Sequence, residues 1–529
     1  MTVAGPSPSL RVIRPSASPS RRRELALLVA GGGSLVLAFP PVDAFPLAFL
    51  ALVPVFYVFL RTSATGFRGG FWRGLVAGAA FFLPLLHWLV FLSSQEMDNP
   101  LVMAGPLVLL VLLESLYWGL FGGCAILVRR RTRVPMFVAL PVLWVTFEQL
   151  RSLGVLGFPW GSLGYACVPI PRAIQFAAVT GLFGVSFWVA LVNALALAAL
   201  VGPRGRRRAL AVLAVVLALP IIHGSAVLSG EREDDERSLR VAVVQPNIAG
   251  KRKWDARYKE ESFEALERLS RAAGAEAADL VVWPETAAPS YLLREHSDLG
   301  RVSGVAREIG TPILTGFPDM ALDRGDPPTY RYYNSVLLIG GDGAIGGKYD
   351  KIHLVPFGEV IPFETVFPVL ERVNFGEADF APGDDRVVFQ IPEGKLSALI
   401  CFESIFPRLA RQFTVQGSEL LVNVTNDVWY GRSGMPYQHA SMAVMRSIEN
   451  RRSLARSANS GVSLLADPYG RIIARTEIFE PAVIVGDVPL VSGTTFYARH
   501  GDLFAWSVTA AAVALLLAAL VGSCRRPHR

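Results

Sequence analysis

Apolar and polar positions divide this chain into two textures. From the amino-terminal side, long apolar runs occupy 24–40, 45–61, 71–93, 101–128, 134–150, 173–201 and 207–228, and one more occupies 503–523. Each run is long enough, at roughly 17–28 residues, to cross a hydrocarbon core about 30 Å thick as a helix. The fifth carries Glu148, which is costly in an apolar medium unless paired, and Arg151 one turn on is its expected partner. From Arg240 the pattern shortens. Strand-like runs appear at Val241–Val244, Leu280–Trp283, Ile313–Thr315, Ser335–Ile339, Ala398–Cys401 and Leu420–Val424. Helical patterns at Tyr258–Ala273, Leu299–Ile309 and Gln438–Arg451 alternate with them. Nearly continuous apolar strands imply a sheet covered on both faces, so this segment reads as an α/β domain. No internal repeat and no phosphate-binding loop occurs; Gly31-Gly32-Gly33 falls within the first run and serves packing.

The expected organisation follows. Residues 1–23 form a disordered cytoplasmic tail, and 24–228 a polytopic helical membrane domain with seven transmembrane helices. Residues 229–502 form the α/β domain, 503–523 a last transmembrane helix, and 524–529 a basic tail.

Composition supports a membrane protein: 52% of the 529 residues are hydrophobic, and the mean hydropathy is +0.40. The net charge of +7 does not point to nucleic acid, because the arginines cluster beside the apolar runs. Arg21–Arg23, Arg61 with Arg68, Arg129–Arg131, Arg206–Arg208 and Arg525 with Arg526 mark alternate loops. With eight spans this places both termini in the cytoplasm and 229–502 on the extracytoplasmic, periplasmic side of the cytoplasmic (inner) membrane.

Four cysteines, Cys124, Cys167, Cys401 and Cys524, show no disulfide or redox spacing. The dispersed histidines form no metal pair, so no metal and no other cofactor is expected. Only Cys401 lies in the α/β segment. It closes one strand-like run, Glu285 closes Val281-Val282-Trp283-Pro284, and Lys351 opens Ile352 through Glu359. A thiol attacks as thiolate; a carboxylate can take its proton, and an ammonium can lower its pKa or hold an oxyanion. The backbone N–H of Phe402 is a further oxyanion donor. From the residues alone each also has an ordinary reading: Cys401 as a small buried hydrophobe, Glu285 as a cap or surface carboxylate, Lys351 as a solvated side chain. A thiol nucleophile on a membrane protein points to an acyl group exchanged with a lipid.

Several segments carry a resemblance. Val282 through Glu285, Lys351 through Glu359, and Cys401-Phe402-Glu403 resemble the three catalytic segments of the nitrilase, or carbon–nitrogen hydrolase, superfamily. Asn423 through Gly431 resembles a further segment near that site. Pro141 through Trp144, Gly157 through Trp160, Gly164-Tyr165, Lys253-Trp254-Asp255 and His353 through Glu359 narrow the match to the apolipoprotein N-acyltransferase family, over roughly residues 25–523. The resemblance implies an α-β-β-α sandwich in which Glu285 is the general base, Lys351 the oxyanion and orienting residue, and Cys401 the nucleophile. It implies that Glu359 is a second essential carboxylate, that Phe402 and Glu403 shape the site, and that Trp254 is a functional loop residue. The family often has Tyr where this chain has Phe402, so that phenol is absent here.

The implied reaction is ping-pong. An acyl chain passes from a phospholipid to Cys401, then to the α-amino group of an apolipoprotein whose N-terminal cysteine carries diacylglyceryl. Its partners are those two substrates and the lipid bilayer, without nucleic acid, and the expected state is a monomer. A membrane-tethered amidase with water as acceptor and a non-catalytic lipoprotein-binding protein are the rival readings. His353 is expected to be structural, and the apolar loop Phe357–Phe375 and the Trp429-Tyr430-Gly431 arm are candidate lips for an acyl chain.

Overall fold

The computed structural model describes residues 20–61, 65–92, 103–203, 205–230, 237–250, 256–323, 328–362 and 380–522. Trp254, the 524–529 tail and most of the Phe357–Phe375 loop lie outside the described residues.

A helix occupies each amino-terminal apolar run: α1 (Arg21–Val36), α2 (Leu52–Arg61), α3 (Gly66–Leu85), α4 (Ala104–Arg131), α5 (Met136–Arg151), α6 (Ala177–Val201) and α7 (Arg206–Ser229). α1 opens at Arg21, inside the stretch expected to be tail, because Ser20 caps it: its hydroxyl accepts the Arg23 N–H. α3 starts before its apolar run and stops at Leu85, with a 3₁₀ turn over His87–Phe91 completing the segment. Small residues set how closely α3 and α4 pack. A Cβ on Gly74 would lie 2.0 Å from the Trp118 carbonyl oxygen, and one on Gly70 would lie 2.3 Å from that of Gly122. Gly70, Gly74 and Gly78 repeat every four residues, the spacing that brings two apolar helices into backbone contact.

The elements that follow build two mixed six-stranded sheets. β1 (Ser238–Gln245), α8 (Lys259–Ala275), β2 (Leu280–Val282), α9 (His296–Ile309), β3 (Ile313–Asp323), β4 (Thr329–Ile339) and β5 (Ile345–Asp350) come first. β6 (Phe389–Ile391), β7 (Gly394–Ile400), α10 (Pro407–Val415), β8 (Leu420–Thr425), α11 (Met435–Asn450), β9 (Ser453–Ala458), β10 (Leu464–Ala466), β11 (Ile472–Arg475) and β12 (Ala482–Pro489) follow. The sheet orders are β12-β1-β2-β3-β4-β5 and β11-β10-β9-β8-β7-β6. Side chains alternate across β1. Ala242 and Val244 join Phe263 and Leu266 of α8 and Val302 of α9 in one core, while Val241 and Val243 face Leu396, Ala398 and Val422 of the other sheet. That alternation gives the α-β-β-α sandwich. α12 (Phe496–His500) and α13 (Leu503–Val521) return the chain to the helical region.

Among the described residues four helices, α4, α6, α7 and α13, are long and apolar enough to cross a membrane. α7 and α13 leave most of their apolar surface uncovered, including Leu219, Ile222, Val513 and Leu517. Such a surface suits lipid and not water.

The partner expected for Glu148 is a different one. Arg151 pairs with Glu114 of α4 at 2.9 Å and donates to the carbonyls of Phe158 and Trp160. Glu148 instead accepts the Trp144 indole N–H and the Leu163 backbone N–H, at 2.9 and 2.8 Å. Residues one turn apart can meet, but here the tight turn at 158–162 gathers the guanidinium, and α4 supplies the nearer carboxylate.

Candidate active site

Three sheet ends bring the candidate residues to one place. β2 ends at Val282, and its extension carries Glu285. Gly316 of β3 makes room for it: a Cβ there would lie 2.7 Å from the Glu285 Cα and 2.5 Å from the Thr286 nitrogen. The buried Trp283 ring anchors the same extension by donating to the Ser270 hydroxyl at 2.8 Å. β5 ends at Asp350, and Lys351 follows with its N–H on the Asn334 carbonyl at 2.9 Å.

Lys351 is 1% exposed. Its ammonium lies 2.8 Å from Glu359 and 3.7 Å from Glu285. The Asn334 amide donates to both carboxylates, at 2.7 Å to Glu285 and 3.0 Å to Glu359. Glu359 is further fixed by the Val355 N–H at 2.9 Å, within a tight turn where Glu359 in turn donates its N–H to the Val355 carbonyl. Burial alone would neutralise Lys351. The charges of Glu359 and Glu285 oppose burial and hold the ammonium well above the ordinary lysine range.

β7 ends at Ile400, one residue short of the expected strand, because Cys401 turns the chain. Its φ is +50°, and a 3₁₀ turn runs over Cys401–Ile405. A non-glycine residue in that region is strained by about 1–3 kcal/mol. Glu403 holds the turn. Fully buried, it accepts the N–H groups of Ile400 (2.7 Å), Ile352 (2.7 Å) and His353 (3.1 Å) and the Tyr349 hydroxyl (2.8 Å). It therefore ties the nucleophile turn to the Lys351 loop. Burial pushes its carboxyl up to about 6, with the Ile400 and His353 N–H groups, Lys351 and Tyr349 pulling the other way. His353 contributes that backbone N–H and stacks its ring 4.9 Å from Phe406.

Burial pushes the Cys401 thiol well above its ordinary range; Glu285 adds to the rise and Lys351 opposes it. The resting sulfur is thus a thiol, and attack requires a base beside it. Glu285 is within its electrostatic reach.

A row of aromatic rings leads from the helical region to Cys401. Trp88 packs 5.1 Å from Tyr430 and 5.2 Å from Trp160; Phe158 stacks on Trp160 at 5.6 Å and on Phe402 at 6.4 Å. Burial raises the Tyr430 phenol well above its ordinary range, and the charges of Asp427, Glu285 and Glu359 add to the rise. Phe402 therefore connects the nucleophile to the helical region.

Sequence reasoning missed Asn334, Gly316 and a buried network under the nucleophile formed by Ser404, Asp427, His439 and Arg456. Asp427 lay within a noted segment without a role. Asn334 had one signal, a single amide where the tyrosine-rich half of β4 gives way to its apolar half. His439 had none. Among the described residues no group of His, Cys, Asp and Glu could hold a metal ion.

Residues 240–496 match the model of the carbon–nitrogen hydrolase family, and 31–195 match that of the apolipoprotein N-acyltransferase N-terminal domain. An apolipoprotein N-acyltransferase of Geobacter metallireducens is 38% identical over 94% of this chain and 95% of its own length. That of Allorhizobium ampelinum is 34% identical over 94% and 95%. Among solved structures, an amidase of the nitrilase superfamily from Nesterenkonia aligns with 51% of this chain and 94% of its own, at 18% identity and a TM-score of 0.38. The two family-model matches, and identity of this extent to relatives along nearly the whole length, establish that the chain belongs to the apolipoprotein N-acyltransferase family.

Proposed function

We propose that Cys401 carries an acyl chain as a thioester between a phospholipid and the α-amino group of a diacylglyceryl-cysteine at the start of an apolipoprotein. Family membership makes the chain an acyltransferase of lipoproteins; the route through Cys401 is our reading. What supports it is the convergence of Glu285, Glu359 and Asn334 on the buried Lys351 ammonium beside the Cys401 turn.

In the first half-reaction the Cys401 sulfur attacks the ester carbonyl and Glu285 takes the thiol proton. Lys351 and the Phe402 N–H face the oxygen that becomes anionic. Collapse expels the lysophospholipid alkoxide, which receives the proton from Glu285. In the second, the acceptor amine attacks the thioester and gives a proton to Glu285. The sulfur leaves and is reprotonated, and an amide results. Glu359 keeps Lys351 charged and oriented in both. The aromatic row from Trp88 to Phe402 suits an acyl chain, and Trp254 would act on the loop before Ala256.

We further propose that all eight apolar runs cross the cytoplasmic membrane, with both termini in the cytoplasm and the sandwich outside. The arginine-bearing ends meet. Arg73 near the start of α3 pairs with Glu24 at the start of α1 (2.6 Å), and Arg131 at the end of α4 donates to the Leu520 carbonyl at the end of α13 (3.3 Å). Anchored substrates then meet the site without a chain being drawn into water, which costs about 0.8 kcal/mol per CH₂.

The test is intact-protein mass spectrometry of the enzyme with phospholipid of known acyl composition. We expect one acyl mass on the protein, none on Cys401→Ala, and its discharge by a diacylglyceryl-cysteine peptide. Equal discharge by water would favour a hydrolase, and no adduct on folded protein would favour a binding protein.

A further inference from the structure

The nucleophile turn rests on a buried polar network that the reaction as described does not use. His439 of α11 places Nε2 3.0 Å from the Cys401 carbonyl oxygen and 3.0 Å from the Ser404 hydroxyl. Ser404 itself donates to the same carbonyl at 3.0 Å. On the other side of the ring, Nδ1 lies 3.1 Å from Asp427 and 3.2 Å from an Arg456 nitrogen. Arg456 pairs with Asp427 at 2.8 Å and donates to Asn423, and Thr425 donates to Asp427 at 3.0 Å. All six side chains are buried.

The geometry fixes what this network does to the backbone. We assign the proton of the neutral ring to Nε2, the tautomer in which Nε2 donates to the Cys401 carbonyl and Nδ1 accepts from Arg456. The Cys401 carbonyl thus receives two side-chain donors, both from below the turn. In a planar trans peptide the C=O and the following N–H point in opposite directions. Clamping the Cys401 oxygen toward His439 therefore aims the Phe402 N–H the other way. That N–H is at the start of a 3₁₀ turn, where the first donors have no partner within the turn.

We infer that His439 is a positioning residue for the oxyanion hole: with Ser404 it clamps the Cys401 carbonyl, so that the Phe402 N–H stays directed at the oxygen of the tetrahedral intermediate. The inference rests on the thioester reading above. Asp427, in the turn just after β8, and Arg456 of β9 hold the ring from its other side.

The test compares two reactions of the same sulfur. Acylation by an ester passes through an oxyanion; alkylation by iodoacetamide does not. Full-length enzyme in detergent is given an equal mixture of dipalmitoyl phosphatidylethanolamine and phosphatidylglycerol, and both reactions are timed by intact mass. For His439→Leu we expect acylation about 10²–10³-fold slower, with KM for the lipid within about threefold and alkylation within about twofold of wild type. His439→Gln, whose amide can donate from nearly the same place, should recover acylation to within about tenfold, and Ser404→Ala should fall between. Equal slowing of acylation and alkylation, a loss carried by KM, or no difference between Leu and Gln would overturn the inference. A wild-type enzyme that alkylates but never acylates would sink the thioester reading and this inference with it. Wild-type-like acylation in His439→Leu would sink this inference alone.

Discussion

Asn334 and Glu403 are two buried polar residues that hold the site by hydrogen bonds to its parts. Asn334 donates to both Glu285 and Glu359, so it sets the separation of two carboxylates that share one ammonium. Asn334→Leu removes two hydrogen bonds to charged groups, each of about 1.5–3 kcal/mol. We expect kcat/KM to fall at least ten- to a hundredfold with the protein still folded, as read by steady-state transfer assays. Glu403 titrates in an accessible range. Its carboxyl is raised from 4.5 to about 6, so the native state binds more protons than the unfolded chain between those values. Its contribution to stability is then full below about pH 4.5 and lost as pH rises through about 6, by about 2 kcal/mol for a shift of this size. Thermal unfolding of wild type and Glu403→Gln across pH 4–7 checks this. The difference between their melting temperatures should change over that window and be flat above it.

At the scale of elements, close approach decides where the chemistry lies. Glu285 reaches the site because β3 has no side chain at Gly316 to push it away. Gly316→Ala would place a Cβ 2.5 Å from the Thr286 nitrogen. Backbone cannot yield as a side-chain tip does, so overpacking of about 1–3 kcal/mol is expected. Activity should fall further than stability, because the atoms displaced belong to the base; differential scanning calorimetry beside an activity assay separates the two. α3 and α4 show the same device in an apolar setting. Gly74→Leu should force the helices apart and lower the yield of folded protein in detergent.

The whole molecule is locked by contacts between its two regions. α6 is interrupted at Gly181, where φ is +66° and ψ is −172°, and the helix that restarts there is capped by Glu449 of α11, which accepts the Leu182 N–H at 2.8 Å. Glu449 also pairs with Arg446 at 3.0 Å, and the Trp160 indole donates to Gln438 at 2.7 Å. Glu449→Leu would leave Arg446 buried without its carboxylate, a loss of about 3–5 kcal/mol, and should abolish accumulation of the protein in membranes as judged by immunoblot. The proposed topology makes a separate prediction. In intact spheroplasts, an impermeant maleimide should label Ser297→Cys in the sandwich and leave Gly205→Cys between α6 and α7 unlabelled until the membrane is broken.

By itself the sequence determined the division into apolar helices and an α/β segment, because hydrophobic periodicity is a local property of the chain. It also located Glu285, Lys351, Glu359 and Cys401 on segments whose resemblance names their parts. It could not decide which buried groups meet. Arg151 chose Glu114, 37 positions away, over Glu148 one turn behind, and the Cys401 carbonyl found His439, 38 positions on. Asn334 reaches Glu285 across 49 positions. These pairings follow from the stacking of two sheets and the crossing of helices, which fix distances that spacing along the chain leaves free. Backbone strain at Cys401 belongs to the same class, since a positive φ at a cysteine is held by the side chains around it and leaves no mark in the residue itself.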